Sequence, residues 1–177
     1  MFLEKKEKEK EITIDYEFPD GSILNNEKVK YKARDFTYLN IDNQWFLTND
    51  LSYKDNLKYL GPYVLATILY CKNLGELTYV QCSKKIGEDN LKALIDLEEI
   101  HIYEDEEIKY VKVNLGEKTI YNSCVGSIRK RISAMGLKKE LNRTPNANDV
   151  LQHRKKNTPL KINTHKIYKT DKENNTY

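Results

Sequence analysis

The stretch Thr78-Tyr79-Val80-Gln81-Cys82-Ser83-Lys84-Lys85-Ile86-Gly87 decides how the middle of this chain is read. Thr78 is a good N-cap, because a side-chain oxygen at that position accepts a hydrogen bond from an amide the first helical turn leaves unpaired. Cys82 and Ile86 lie four residues apart, so they share one helix face and are expected in the core. Ser83 is small enough to let a neighbouring helix approach, and Gly87 supplies the turn that ends the segment. A further helix is expected directly after it, from about Glu88 to Glu99.

Working outward, Leu57, Leu60, Val64, Leu65, Ile68 and Leu69 follow helical spacing. Pro62 suits the first position of a helix, so one is expected from about Pro62 to Lys72, stopped by Asn73 and Gly75. On the other side, Ile100, Ile102, Ile108, Tyr110, Val111 and Val113 flank the acidic run Glu104-Asp105-Glu106-Glu107 as a hairpin. Three helices and a hairpin, joined by short connections, is the order of a winged helix-turn-helix. Nearer the N-terminus, Ile12, Ile14, Tyr16 and Phe18 alternate, as do Val29, Tyr31 and Ala33. With the turn residues Pro19-Asp20-Gly21-Ser22 between them, these predict a second hairpin over 11–34. Phe36 to Ile41 reads as another extended piece, and residues 1–10 as a solvated charge run.

Charge is divided by position. Residues 1–60 carry 10 Lys/Arg against 12 Asp/Glu, residues 61–120 carry 7 against 11, and residues 121–177 carry 13 against 4. A basic concentration of that size is the electrostatic footprint of a surface that meets phosphates. Within it, Val125, Ile128, Ile132 and Met135 recur at three- and four-residue spacing, predicting an amphipathic helix from about Ser123 to Asn142. Arg129, Lys130, Arg131, Lys138, Lys139 and Arg143 are its candidate phosphate contacts. Six such contacts would give a salt slope of about −5. The competing reading is a solvated outer face of a docked helix. Thr144-Pro145 breaks the pattern, Asn146 to Gln152 is a candidate short helix, and little hydrophobic pattern follows His153. The chain is thus parsed as a charged flexible N-terminus (1–10), a β-hairpin and extended lead-in (11–41), a winged helix-turn-helix (42–116), a basic amphipathic helix (117–145) and a flexible basic tail (146–177).

Leu60-Gly61-Pro62-Tyr63-Val64-Leu65-Ala66, taken with the 78–87 stretch, resembles the winged helix-turn-helix domains of bacterial plasmid and phage replication proteins and related regulators. The resemblance spans roughly 36–114, and the lead-in with Trp45 belongs to it. It implies an α+β fold with a winged core, here extended by the N-terminal hairpin and the basic C-terminal helix. It also implies DNA as partner, with RNA left open. Asn90 and Lys92 on the third helix, and Lys84 and Lys85 at the end of the second, are then further nucleic-acid contacts. The register Ala93-Leu94-Leu97 would leave Leu91 and Ile95 on the usually exposed side, which makes them either core in a shifted register or a dimer or partner contact, the second being the reading taken here.

This chain departs from the family pattern in two places. Gly87 runs straight into Glu88-Asp89-Asn90, so the usual polar segment before the recognition helix is shortened. That helix and the wing tip are also acidic, whereas groove-reading helices offer Arg, Lys, Asn or Gln to base edges. The expected function is therefore a DNA-binding accessory or regulator of replication, partition or transcription in a bacterium or its mobile elements, gripping mainly through the basic C-terminal helix. The alternative is a protein-interaction adaptor, or DNA mimic, that uses the acidic winged domain.

Other classes find little support. Cys71, Cys82 and Cys124 are odd in number and widely spaced, with none of the three histidines at ligand spacing, so free buried thiols are expected and no metal or other cofactor. No phosphate-loop, dinucleotide or nucleophile-elbow motif is present, and no catalytic residue is assigned. Trp45 and the 13 tyrosines suggest stacking, but Tyr16, Tyr31, Tyr63, Tyr70 and Tyr110 sit in periodic apolar patterns and are expected in the core. The charged start lacks the order of a signal peptide and no apolar run approaches a membrane span, so a cytoplasmic location is expected. The wealth of Lys, Asn, Ile and Tyr fits AT-rich coding and says nothing of mechanism.

Overall fold

A computed structural model describes residues 8–33, 39 and 41–158. The extended piece expected at 36–41 falls mostly outside the described residues, as do residues 1–7 and 159–177. Helices and two small antiparallel sheets make a mixed α+β architecture.

Strands β1 (Glu9–Glu17) and β2 (Ile23–Lys32) form the expected N-terminal hairpin. Its turn is fixed chemically: Gly21 takes φ +83°, and Asp20 accepts from both the amide and the hydroxyl of Ser22. The register slips between Ile14 and Tyr16, where Asn26 at φ +57° donates its amide to Asp15. Asn tolerates that left-handed geometry better than most residues, and the bulge adds local twist.

After α1 (Asn43–Thr48) and two 3-10 turns comes α2 (Leu60–Lys72), beginning two residues earlier than Pro62 predicts. A two-residue strand β3 (Leu77–Thr78) leads into α3 (Tyr79–Ile86), and Thr78 and Gln81 close a reciprocal capping box at its start. Cys82 and Ile86 are buried as expected. Gly87, at φ +89°, both ends α3 and starts α4 (Glu88–Asp96). This helix is shorter than predicted, because Glu98 turns the chain at φ +59°. Strands β4 (Ile100–Asp105) and β5 (Ile108–Val113) follow, and β3 pairs with β5 to give the sheet order β3-β5-β4.

The C-terminal third differs most from its prediction. The chain does not form one helix to Asn142. Helix α5 (Asn114–Ala134) ends at a turn where Gly136 takes φ +71°, and the short α6 (Leu137–Leu141) follows. Residues from 146 are not simply a flexible tail either. Helix α7 (Ala147–Asn157) is closed by an Asn146–Asp149 capping box and buries Ala147 and Val150. The Arg154 guanidinium forks onto Glu27 of β2 at 2.7 and 3.0 Å, and the Ala147 amide donates to Ser22. These contacts dock α7 on the hairpin.

Helix α5 touches both β1 and β2 on one side and α2 on the other, with Ile120, Cys124, Ile128 and Ile132 buried at four-residue spacing. Its approach to α2 needs Gly116: a Cβ there would meet the Tyr70 ring, with Cγ at 3.0 Å and Cδ1 closer still. Burial raises the thiols of Cys71 and Cys82 to about 12 and about 11, so both stay protonated near neutrality.

Two expected outcomes follow for stability. Gly116→Ala should lower unfolding free energy in urea by about 1–3 kcal/mol through overpacking. Gly126→Ala, in the same helix with open space around it, should raise it by roughly 0.5–1 kcal/mol. At the β4–β5 turn, Glu106 and Glu107 take φ +47° and +65°, a conformation that two-residue hairpin loops reserve for Asn-Gly. Glu106→Asn with Glu107→Gly should therefore raise the melting temperature, relieving on the order of 1 kcal/mol per strained residue.

Candidate nucleic-acid interface

The Arg129-Lys130-Arg131 run lies in the last turns of α5, between the buried Ile128 and Ile132. Neighbouring helical residues project about 100° apart, so the three cations cannot share a face. Arg129 is the one that meets Lys138 and Lys139, because the left-handed turn at Gly136 brings α6 back beside the end of α5. Lys130 and Arg131 are exposed and flank this cluster. Among the described residues, no carboxylate forms an ion pair with any of these five cations.

The cluster rims a groove of about 570 Å³. Tyr16, Phe18 and Ile132 contribute to its apolar surface, with Pro19 and Pro145 at its sides. Tyr16 and Phe18 pack edge to face with ring centroids 4.9 Å apart. None of these groove residues was a sequence candidate for the site. Tyr16 and Phe18 lie more than a hundred residues from the cations, and their alternation signals only a buried strand face.

Arg143 is placed otherwise than expected. Its guanidinium forks onto Asp149 at 2.6 and 2.9 Å, where it supports the cap of α7 and is not available as an unpaired phosphate contact. The Arg143 side chain, ahead of a backbone bond from Asn146, holds the Asp149 carboxyl below its usual range.

The α3–α4 candidates divide in the same way. Lys84 and Lys85 are exposed at the end of α3 and have no ion-pair partner among the described residues. Asn90 is committed locally, its amide donating to the Ile86 carbonyl at 2.7 Å. Lys92 stands 3.8 Å from Glu88. Glu88 also accepts from the Tyr79 and Ser83 hydroxyls, each at 2.6 Å. Those bonds, Ser83 first, hold its carboxyl low, while the Glu88 contact pushes the Tyr79 phenol up. Ser83 thus anchors the start of α4 in addition to being small.

Leu91 is not a surface residue. It is 0% exposed, and Ile95 is half-buried against the core. Because α4 starts directly after Gly87, its inward face carries Leu91 and Leu94, not the Ala93-Leu94-Leu97 register. The expected dimer contact through Leu91 is therefore withdrawn. The β4–β5 hairpin exposes the apolar residues Ile102, Tyr103 and Ile108 beside the acidic turn, and Val80 is exposed on α3. Tyr103 stacks on Tyr110 across the hairpin, with centroids 5.4 Å apart.

No family model, curated protein or solved structure matches the chain. Among the described residues, no helix is long and apolar enough to cross a membrane.

The Arg143–Asp149 pair gives a pH-dependent outcome. A carboxyl held low in the folded state stabilises fully above its unfolded value, here 3.8, and the contribution is lost as pH falls through the lower folded value. Arg143→Gln should therefore lower the melting temperature at pH 7, with the gap to the unaltered chain closing only below about pH 3.8. A gap already closed at pH 5 would assign it to some other group.

Proposed function

We propose that this chain is a nucleic-acid-binding protein built on a winged helix-turn-helix, an accessory or regulator of replication, partition or transcription in a bacterium or its mobile elements. Its grip on phosphates lies in the α5–α6 corner. The observation that carries this reading is the convergence of Arg129, Lys138 and Lys139 on one groove rim with no carboxylate paired to them among the described residues. Cations held together without partners are costly through mutual repulsion unless an anion joins them. The order α2-β3-α3-α4-β4-β5, with β3 against β5, supports the winged reading. The acidic α4 and wing argue for docking by the C-terminal corner and not by the third helix.

A second reading has its own observation. The wing presents Ile102, Tyr103 and Ile108 next to Glu104, Asp105, Glu106 and Glu107, an apolar and acidic surface suited to a basic protein partner.

The test uses point substitutions, because α5 also supplies Cys124, Ile128 and Ile132 to the core and cannot be removed cleanly. Binding of the full chain to DNA is titrated between about 50 and 200 mM salt. Replacing Arg129, Lys138 and Lys139 by Ala should weaken binding and flatten the salt slope by about 2–3, roughly 0.7–0.9 per phosphate. An unchanged slope would remove the α5–α6 corner as the grip. No binding by the unaltered chain would favour the wing and a protein partner.

A further inference from the structure

We infer that the groove rimmed by Arg129, Lys138 and Lys139 holds an unpaired base, so that the nucleic acid this surface prefers is single-stranded; the inference rests on the nucleic-acid reading above. A duplex keeps the flat faces of its bases stacked inside and offers only sugar, phosphate and base edges to a protein surface. Three cations would satisfy that surface, and the apolar part of the groove would go unused. A single strand brings both parts together: phosphates for the rim, and a flat base with two apolar faces for the interior.

The groove has the chemistry for this division. Its volume of about 570 Å³ lies within the range of pockets that enclose a small organic group. Phe18 and Tyr16, at 4% and 9% exposure, form a rigid apolar base to it with Ile132. Ser133 and Thr144 also line it, and a hydroxyl side chain both donates and accepts, which suits polar base edges without dictating sequence. Two carboxylates at this end are already engaged: Asp20 accepts from Ser22, and Asp149 from Arg143. Glu140, on α6, does not line the groove. The chain's own C-terminal segment is a poor occupant, because Lys161, Lys166, Lys169 and Lys172 outnumber Asp171 and Glu173 and carry the sign of the rim.

The experiment measures anisotropy of a labelled single strand of about 16 nucleotides and of the matching duplex, with the full chain near 50 mM salt. The informative variant is Ser133→Arg, which fills the groove while adding a positive charge. Ser133 is exposed, so the fold should tolerate it; Thr144→Trp, outside any helix, fills the same groove if it does not. The single strand should bind at least about tenfold more tightly than the duplex. Ser133→Arg should lose about tenfold on the single strand while holding or gaining affinity for the duplex. Tighter binding of both by Ser133→Arg, or preference for duplex, would overturn the groove inference and leave the phosphate grip standing. Preference for a labelled acidic peptide over the single strand would overturn it as well. No binding of either nucleic acid by the unaltered chain would instead sink the nucleic-acid reading, and this inference with it.

Discussion

The buried carboxylate of Glu99 is the joint on which the arrangement depends. It accepts from the Asn49 amide at 2.6 Å and from the Tyr63 hydroxyl at 2.9 Å, and Tyr63 in turn accepts from the Leu115 amide at 3.0 Å. Four segments distant in sequence meet there: the 3-10 region after α1, helix α2, the start of β4 and the first turn of α5. A carboxylate so deeply placed is tolerated only when its oxygens are satisfied, and removing a partner costs more than the bond itself is worth. Burial and the neighbouring Glu99 push the Tyr63 phenol well above its ordinary value, so it remains a donor throughout the accessible pH range. Because this network fixes where α5 begins, and Gly116 against Tyr70 fixes how closely it lies on α2, the direction of a 21-residue helix is set at its N-terminal end. The cations stand at the other end.

That geometry separates the two signs of charge. Glu88 and the carboxylates of the β4–β5 turn stay with helices α2–α4, while Arg129, Lys138 and Lys139 are carried to the N-terminal hairpin and gathered around the apolar groove. The β4–β5 turn adds a local cost, holding two glutamates in left-handed backbone where Asn-Gly would be relaxed. Strained residues are retained where the surrounding structure over-determines them, and they cluster at surfaces that meet something. Ile102 and Ile108 are exposed beside that turn. The nucleic-acid reading is proposed for the α5–α6 corner.

Much of the local structure was legible because local chemistry decides it. Thr78 and Gln81 form their capping box through contacts three residues apart, and Gly87 ends α3 because it supplies positive φ. The 9–32 hairpin followed from period-2 alternation and the Pro19-Asp20-Gly21-Ser22 turn. Leu91 was misplaced because the phase of α4 depends on how abruptly Gly87 restarts the helix, which spacing alone does not encode. The break at Gly136 was missed because apolar spacing up to Met135 and charges beyond it read smoothly as one helix. Helix α7 was underestimated because its polar sequence is held by distant partners, Glu27 and Ser22, that periodicity cannot register.

The sequence by itself determined the two hairpins and the helices between them, the turn at Pro19-Asp20-Gly21-Ser22, the cap at Thr78, and the division of charge between an acidic body and a basic C-terminal third. Those are short-range properties, written in residue type and spacing. Only the tertiary structure decided which cations meet, that Arg143 is bound to Asp149, and that Tyr16 and Phe18 line the same groove as Arg129. Long-range packing between the N-terminal hairpin and α5 makes that groove, and no local pattern in either segment carries the position of the other.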